Sequence, residues 1–446
     1  MKILGCSPTG DASSTAGGFP LSRRTALAGV TMTAAAGTAF SALAADSGAA
    51  EASAGPIFSA SGPNADLYGA GEGYPIPNRR VARMQGNPFE PKYRVGAFSH
   101  FDELFPTRSI KRAANPWDWK RRTSDLRYSY RGSPSSVEDY LSRNPVTGLL
   151  IAKDDRILYE HYQYARTDRD RLISQSMVKS ITGLLIGIAI AEGAITSVDD
   201  TVETYVPDFR GSEYGHTRLR DLLHMSSGVD FGEERDNGSD LNRLWIDMVL
   251  GSGPTKGTVA SIIQFNRRVA PPGTKFHYAS IEPDVLGVVL QTVVKQSASD
   301  YLREKLWVAI GAEADAAWLI DAEGFEVAHF GFNAVLRDYA RFGRLLAHDG
   351  AWDGRQIIPA QWMLDATTVK PADSYLAPGM ATLSRGYGFL LWLLPGPRRQ
   401  FALVGQNGQR LCVDPTAKLV MVQTALEDTP EAWGLWAALV EQFGKE

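Results

Sequence analysis

Apolar residues follow two different patterns in the middle of the chain. Residues 148–152 and 156–160 are short apolar runs separated by Lys-Asp-Asp, which predicts a β-hairpin. Residues 176–192 are apolar on nearly every side of a helical projection, and this predicts a helix that is buried all round. Gly193 stands where such a helix would end. We therefore expect the hairpin and the buried helix to form the centre of the fold.

Further along the chain, helical and strand-like patterns occupy separate stretches. Helices are predicted at 218–224, 258–268, 281–295, 299–310, 334–348, 359–366 and 431–443, and strands at 387–394, 400–404, 409–413 and 419–424. Strands at both ends of a helical stretch predict an α/β fold of the α+β type. Its antiparallel sheet would come from about 91–175 and 385–446, flanked by helices, with an inserted all-helical region at about 176–384.

The start of the chain has the pattern of an export signal. Arg23 and Arg24 precede an uncharged run rich in Ala, Gly and Thr, and Ala42 and Ala44 supply the small residues of a cleavage site. This pattern resembles a Tat-type signal peptide, so we expect residues 1–44 to be removed and the protein to be periplasmic or secreted. The alternative is an uncleaved transmembrane anchor.

The remaining chain is predicted to have two parts. Residues 45–90 begin Ala-, Ser- and Gly-rich, which favours a flexible leader that runs into the start of an N-terminal arm. Residues 91–446 contain the patterned elements and are expected to form the main domain. No stretch after the signal is long and apolar enough to span a membrane, so we expect no membrane attachment once the signal is cleaved.

Composition narrows the class of function. The 446 residues carry a formal net charge of −4 without blocks of like charge, which argues against a nucleic-acid partner. The seven histidines are scattered and show no metal-ligand spacing, so neither a metal nor another cofactor is expected. Cys6 lies in the predicted signal, which leaves Cys412 alone and excludes an internal disulfide. A small-molecule substrate is expected, and the oligomeric state stays open.

The head of the predicted buried helix carries candidate catalytic chemistry. Ser176 and Lys179 are three residues apart, so their side chains would share one helical face. A serine hydroxyl needs a base to become a nucleophile, and a lysine amine can serve when desolvation disfavours its ammonium form. The backbone N–H of Ser176, at the helix N-terminus, would face a developing oxyanion. The alternative is a capping serine beside a surface lysine.

Three ordered motifs resemble a known family. The Ser-Met-Val-Lys of residues 176–179 is similar to the first motif of serine β-lactamases and penicillin-binding proteins. Residues 222–228 (Leu-Leu-His-Met-Ser-Ser-Gly) and 271–280 (Pro-Pro-Gly-Thr-Lys-Phe-His-Tyr-Ala-Ser) resemble segments of their class C-like relatives. The closest resemblance is to the esterase and 6-aminohexanoate-dimer (nylon-oligomer) hydrolase branch. It covers roughly residues 90–446 and implies a β-lactamase-like fold.

The resemblance also implies roles for single residues. Tyr278 would bond to the nucleophile and the lysine and pass a proton to the leaving group, the alternative being simple core packing. Gly405 ends the best match to the third motif, so the backbone N–H of Gln406 would be the second oxyanion donor beside Ser176. Gly405, Ser280 and Asn407 would contact substrate, although 407–408 (Asn-Gly) also fits an ordinary hairpin turn. His224 and Cys412 are interpreted as structural residues.

Two departures from the family pattern narrow the function. The third motif lacks the lysine that holds a carboxylate in β-lactamases, and Ser280 replaces the usual asparagine. We therefore expect a serine hydrolase that cleaves small esters or amides, including linear amide oligomers, through an acyl-enzyme on Ser176. The alternatives are a β-lactamase or D,D-peptidase acting on cell-wall peptides, and a non-catalytic penicillin-recognition-like binding domain.

Overall fold

The computed structural model describes residues 55–72, 88–122 and 124–444, so the predicted signal peptide lies outside the described residues. The strands are β1 (Ile57–Phe58), β2 (Thr107–Ile110), β3 (Lys120–Arg121), β4 (Arg127–Tyr130), β5 (Ser133–Ser136), β6 (Val146–Lys153), β7 (Arg156–Tyr162), β8 (Leu172–Ile173), β9 (Ala316–Leu319), β10 (Phe332–Ala334), β11 (Ala351–Trp352), β12 (Arg355–Gln356), β13 (Gly386–Tyr387), β14 (Trp392–Leu393), β15 (Phe401–Gly405), β16 (Gln409–Asp414) and β17 (Leu419–Ala425). The helices are α1 (Arg94–Ser99), α2 (Val137–Arg143), α3 (Val178–Ala191), α4 (Val202–Tyr205), α5 (Leu219–Leu223), α6 (Asp240–Leu244), α7 (Thr258–Ile263), α8 (Ile281–Val294), α9 (Ala298–Leu302), α10 (Leu336–Ala347), α11 (Ala360–Thr367) and α12 (Glu431–Phe443).

The main sheet joins strands from the two ends of the described chain. Its order is β1-β7-β6-β17-β16-β15-β14-β13, and β3 pairs with β7 outside this path. The pairs from β7 through to β13 are antiparallel, whereas β1 and β3 lie parallel to β7. The predicted hairpin is β6–β7, and β17 joins it to the C-terminal strands. Segments that are far apart in the sequence thereby form one sheet, against which the helices pack.

Both faces of this sheet are covered, which explains its long apolar runs. Successive side chains of a strand point to opposite faces. Leu150 of β6 and Val422 of β17 belong to one core with α3, α8 and α10, whereas Leu149 and Met421 belong to a second core with α2 and α12. A strand buried on both faces needs apolar residues at nearly every position, as β17 has.

A smaller sheet, β2-β9-β10-β8, takes β9 and β10 from the region predicted to be all-helical and ends on the strand before Ser176. Its strands have two to four residues, too short for an alternating pattern to stand out from the surrounding helices. The inserted region is therefore predominantly helical but also supplies β9 and β10. Pairing of β8 with β10 positions the segment that leads into α3.

Two further segments differ from the expected pattern. The apolar run 387–394, predicted as one strand, is the tight hairpin β13–β14, because Leu390 has a φ of 54° and its N–H donates to the Leu223 carbonyl. The predicted flexible leader is partly structured, since β1 pairs with β7 and the Phe58 ring stacks on Tyr162 at 5.4 Å. In both cases a tertiary contact decides the local conformation.

Candidate active site

Ser176 lies in a tight turn between a strand and the buried helix. After β8, the Ser174 N–H donates to the Phe332 carbonyl at 2.7 Å, and the chain forms a 3-10 turn over Gln175–Met177 before α3 begins. Gln175 has a φ of 48°, a left-handed conformation that residues with a Cβ rarely adopt. Strain of this kind persists only where the surrounding structure imposes it, and here it directly precedes the predicted nucleophile.

Lys179 reaches back from the first turn of α3 to Ser176. Its Nζ lies 3.0 Å from Ser176 Oγ and donates to the backbone carbonyl of His329 at 2.9 Å. The residue is only 2% exposed, so its amine has little access to bulk water. The structure thus brings the first two predicted catalytic residues into direct contact, within a largely desolvated environment.

The carbonyl that binds Lys179 is itself fixed by Asp284 of α8. Asp284 Oδ1 accepts hydrogen bonds from the backbone N–H groups of Ala328 and His329 at 2.9 and 3.2 Å. Its other oxygen lies 2.7 Å from His329 Nδ1, and both side chains are buried. The sequence patterns indicated neither Asp284 nor His329. A backbone carbonyl, such as that of His329, leaves no signal in residue type, and Asp284 acts only through this loop.

Tyr278 faces Lys179 with its ring. Lys179 Nζ lies 5.1 Å from the ring centroid, within cation–π range. The ring is half-buried and stacks on Trp392, with centroids 5.7 Å apart and an interplanar angle of 21°. Among the described residues, the Tyr278 hydroxyl makes no hydrogen bond to Ser176 or Lys179. The tyrosine is therefore adjacent to the pair, in an aromatic stack that orients its ring.

Gly405 ends strand β15 beside the turn that carries Ser176. A Cβ added at Gly405 would lie 2.4 Å from the Ser174 carbonyl oxygen and 2.8 Å from Gln175 Cβ, so only glycine permits this approach. The chain continues into a turn over Gln406–Gly408. The predicted third motif thus lies against the nucleophile segment, and the use of the Gln406 N–H as an oxyanion donor stays a prediction.

The other two predicted substrate-binding residues lie in different surroundings. Ser280 is 4% exposed, and Glu233 accepts hydrogen bonds from its N–H at 2.5 Å and its hydroxyl at 2.8 Å. Asn407 has a φ of 60°, as a hairpin turn requires, and its carbonyl accepts a hydrogen bond from Gln409 Nε2. Ser280 is therefore occupied by a protein carboxylate, whereas Asn407 lies in the turn that follows β15.

His224 and Cys412 lie in the core. The His224 ring packs on Phe389 at 4.8 Å between centroids, and burial lowers the pKa of His224 to about 3, which keeps the ring neutral. Burial raises the pKa of the Cys412 thiol to about 12, so the reactive thiolate is absent at neutral pH. Both environments agree with the structural roles expected of these residues.

The described residues contain neither a metal-binding cluster nor a helix that could cross a membrane. Within residues 55–72, 88–122 and 124–444, no group of three His, Cys, Asp or Glu side chains is arranged to hold a metal ion. In the same part of the chain, no helix combines the length and apolar character that crossing a membrane requires.

Comparison with known proteins places this geometry in context. A sequence model of the family described as Beta-lactamase matches residues 137–439. A 6-aminohexanoate-dimer hydrolase from Paenarthrobacter ureafaciens is 25% identical over 350 residues, which cover 77% of this chain and 88% of that protein. Residues 137–439, which match the family model, include the segments around Ser176, Tyr278 and Gly405.

Solved structures show the same architecture. A Bacillus anthracis protein named as a 6-aminohexanoate-dimer hydrolase superposes with a TM-score of 0.72 at 23% identity, covering 80% of this chain and 96% of that one. A family VIII carboxylesterase gives a TM-score of 0.52 at 17% identity, covering 67% and 93%. The fold class predicted from the sequence is thereby confirmed.

Proposed function

The chain belongs to the β-lactamase family of serine hydrolases, and on that premise we propose that it cleaves small esters or amides through an acyl-enzyme on Ser176. The observation that carries the proposal is the 3.0 Å contact between Lys179 Nζ and Ser176 Oγ, held in place by the His329 carbonyl. A buried amine in contact with a serine hydroxyl is an arrangement that can activate a nucleophile.

The two contacts of Lys179 allow it to act as the base. An amine that acts as a base has two hydrogens and one lone pair. One hydrogen donates to the His329 carbonyl, and the lone pair accepts the Ser176 hydroxyl proton as Oγ attacks the substrate carbonyl. The new Oγ–acyl bond forms while the bond to the leaving oxygen or nitrogen breaks. Water then attacks the ester, releases the acid and returns the proton to Ser176.

The remaining predicted groups complete this cycle. The backbone N–H groups of Ser176 and Gln406 would bind the oxyanion, and Tyr278 would pass the proton from Lys179 to the leaving group. The Tyr278 ring contacts Lys179, so the phenol lies beside the amine that would give up the proton. The mechanism requires neither a metal nor an organic cofactor.

The substrate class follows from what the site lacks and from its relatives. No lysine occupies the third motif, which disfavours β-lactams and cell-wall peptides with a carboxylate at that position. Among the curated relatives, the one matched along 77% of this chain is a 6-aminohexanoate-dimer hydrolase. Linear amides and simple esters are therefore the proposed substrates, and a linear aminohexanoate dimer is the first amide to test.

A covalent probe tests the nucleophile directly. We expect a fluorophosphonate to label the wild-type protein at Ser176, as located by peptide mapping, and to leave Ser176→Ala unlabelled. A label on another residue, or no label, would contradict the mechanism.

A panel of short-chain p-nitrophenyl esters, the linear aminohexanoate dimer and nitrocefin then assigns the substrate. Rapid nitrocefin turnover without esterase or amidase activity would favour a β-lactamase instead.

We also propose that the protein reaches its substrate outside the cytoplasm by Tat export. The support is the twin arginine and the weakly apolar run that follows it. Replacing both Arg23 and Arg24 by Lys should leave the full-length precursor in the cytoplasmic fraction, while the wild-type protein appears shortened outside it. Wild-type protein of full length in the membrane fraction would show an uncleaved anchor instead.

A further inference from the structure

The turn 406–408, which joins β15 to β16, presents its three carbonyl groups to buried side-chain amides. Gln409 Nε2 donates to the carbonyls of Gln406 and Asn407, each at 3.1 Å. Gln423 Nε2 donates to the carbonyl of Gly408 at 2.9 Å. Both of these donor glutamines are only 1% exposed. The turn that contains the proposed second oxyanion donor is therefore held from inside the protein.

The side chain of Gln409 also binds the end of strand β17. Its Nε2 donates to the Ala425 carbonyl at 2.7 Å, and its Oε1 accepts from the Ala425 N–H at 3.0 Å. Every contact of Nε2 is therefore a carbonyl oxygen, and the contact of Oε1 is an N–H, so the partners fix the orientation of the amide. The side chain thereby ties the turn 406–408 to a strand inside the main sheet.

The other glutamine and the neighbouring backbone complete this support. The hydroxyl of Tyr140, a buried residue of α2, donates to Gln423 Oε1 and so orients the second amide. Gly408 has a φ of 83°, and a Cβ added there would lie 2.6 Å from the Glu427 carbonyl oxygen. The turn is thus held by two amides and by close packing against the chain that follows β17.

The direction of the Gln406 N–H depends on both of its chain neighbours. This N–H lies in the planar peptide that joins Gly405 to Gln406. On the Gly405 side, the chain is fixed because Gly405 pairs with Gln409 in the strand ladder and packs against the Ser174 carbonyl. On the other side, the Gln406 carbonyl is fixed by the side chain of Gln409. One residue therefore restrains the Gln406 N–H through both its backbone and its amide.

We infer that Gln409 is a positioning residue that directs the Gln406 N–H towards the oxyanion, an inference that rests on the proposed function. A donor stabilises developing charge most when it is held in place before the reaction, because no reorganisation is then needed. Gln409 acts through the turn 406–408 and not on the reacting atoms. If its amide only satisfied buried carbonyls, its loss would lower stability but leave kcat of the folded protein unchanged.

Gln409→Met tests the inference, because methionine has a similar length but no hydrogen-bond donor. We expect kcat for p-nitrophenyl acetate to fall by about tenfold to a hundredfold, somewhat less than the loss of an entire oxyanion donor. KM should change by less than about threefold, since the affected contact is made in the transition state. Inhibition by phenylboronic acid, which binds a serine as a tetrahedral anion, should weaken by a factor similar to that in kcat.

The matched control is Gln163→Met. Gln163 is also a buried glutamine, and its Nε2 donates to a single carbonyl, that of Leu141, at 3.0 Å. This variant should have a lower melting temperature but wild-type kcat and boronic acid inhibition. A kcat within about threefold of wild type in folded Gln409→Met, or an equal loss of kcat in Gln163→Met, would overturn the role of Gln409.

Gln409→Glu provides a second variant of nearly the same shape, in case the methionine variant does not fold. A protonated carboxyl group retains one donor, whereas the ionised group has none. Its kcat relative to wild type should therefore fall as the pH rises from about 5 to about 8, and a ratio independent of pH would overturn the inference.

The fluorophosphonate separates this inference from the proposed function. Absence of a label at Ser176 in the wild-type protein would contradict the proposed function itself. A wild-type protein labelled at Ser176, together with an unchanged labelling rate in Gln409→Met, would overturn only the role of Gln409. We expect slower labelling in that variant, because attack on phosphorus also develops negative charge on an oxygen that the two N–H groups would bind.

Discussion

The proposed base and nucleophile, Lys179 and Ser176, are held together by residues outside the motif that carries them. Lys179 and Ser176 share a helical face by virtue of their spacing, but spacing leaves the long lysine side chain many rotamers. The His329 carbonyl selects one of them, and Asp284 fixes the loop that presents that carbonyl. The geometry of the proposed catalytic pair therefore depends on three segments, of which only one carries the motif.

Replacing Lys179 by methionine tests the base at constant shape. Methionine is unbranched and of similar length, so it should fill the same buried space without the amine. We expect kcat/KM for a p-nitrophenyl ester to fall by about 10²- to 10⁴-fold, the range typical of a lost general base. Circular dichroism and the melting temperature should stay near wild type, and activity within tenfold of wild type would contradict the assignment.

Asp284→Asn probes the positioning of the lysine. Asparagine can still accept the two backbone hydrogen bonds but carries no charge opposite the His329 ring. A small displacement of the carbonyl that holds Lys179 should lower kcat by about tenfold to a hundredfold. The pH–rate profile should shift as well, because the base would sit in a changed field. A lower melting temperature with an unchanged kcat and pH profile would indicate a purely structural role.

At the scale of elements, the site depends on the close approach of strand β15 to the turn before α3. Gly405 is the contact point, because any side chain there would meet the Ser174 carbonyl and Gln175 Cβ. Gln175 is in a left-handed conformation at the same place. The turn is thus confined between the end of the sheet and the buried helix, and this confinement orients the N–H groups proposed to bind the oxyanion.

Gly405→Ala should separate these elements. The added methyl group would overlap backbone atoms at 2.4 Å, and we expect a destabilisation of about 1–3 kcal/mol together with a loss of kcat that exceeds the loss of folded protein. The matched control is Gly434→Ala in helix α12, where the nearest atom is 3.9 Å away and alanine should stabilise by about 1 kcal/mol. Wild-type activity in Gly405→Ala would refute the packing argument.

For the whole molecule, stability comes from a sheet with a core on each face, and its dependence on pH comes from polar groups enclosed between the helices. His224 is one such group, since it is buried against Phe389 and Nδ1 has no partner among the described residues. Its charged form is excluded by burial and by the nearby cations Arg220, Lys370 and Arg218. The folded protein therefore holds this histidine neutral, whereas the unfolded chain does not.

This difference makes stability depend on pH. The pKa of His224 is about 3 in the folded protein and about 6.5 in an unfolded chain, so the unfolded state alone binds the proton between these values. Stability is fully present above pH 6.5 and falls as the pH decreases towards 3. His224→Gln should flatten the melting temperature between pH 6.5 and 4. The exposed His216→Gln should keep the wild-type slope, and equal slopes in all three proteins would contradict the prediction.

The sequence by itself determined the fold class, the family and most long elements. Long helices such as α8 and α10, and the strands β6, β7, β16 and β17, have hydrophobic periods that follow directly from being buried on one side or on both. The family resemblance from three ordered motifs is confirmed by the family match over residues 137–439. The roles of Ser176, Lys179, Tyr278 and Gln406 remain predictions that the experiments above address.

Only the tertiary structure decided the contacts that build the site. The carbonyl of His329 has no residue-type signature, and the carboxylate that fixes its loop comes from Asp284 on a separate helix, a contact that no local pattern records. The β13–β14 hairpin and strand β1 likewise depend on distant segments. Local hydrophobic periodicity reflects which face of an element is buried, but it carries no information on which backbone atom or side chain lies opposite.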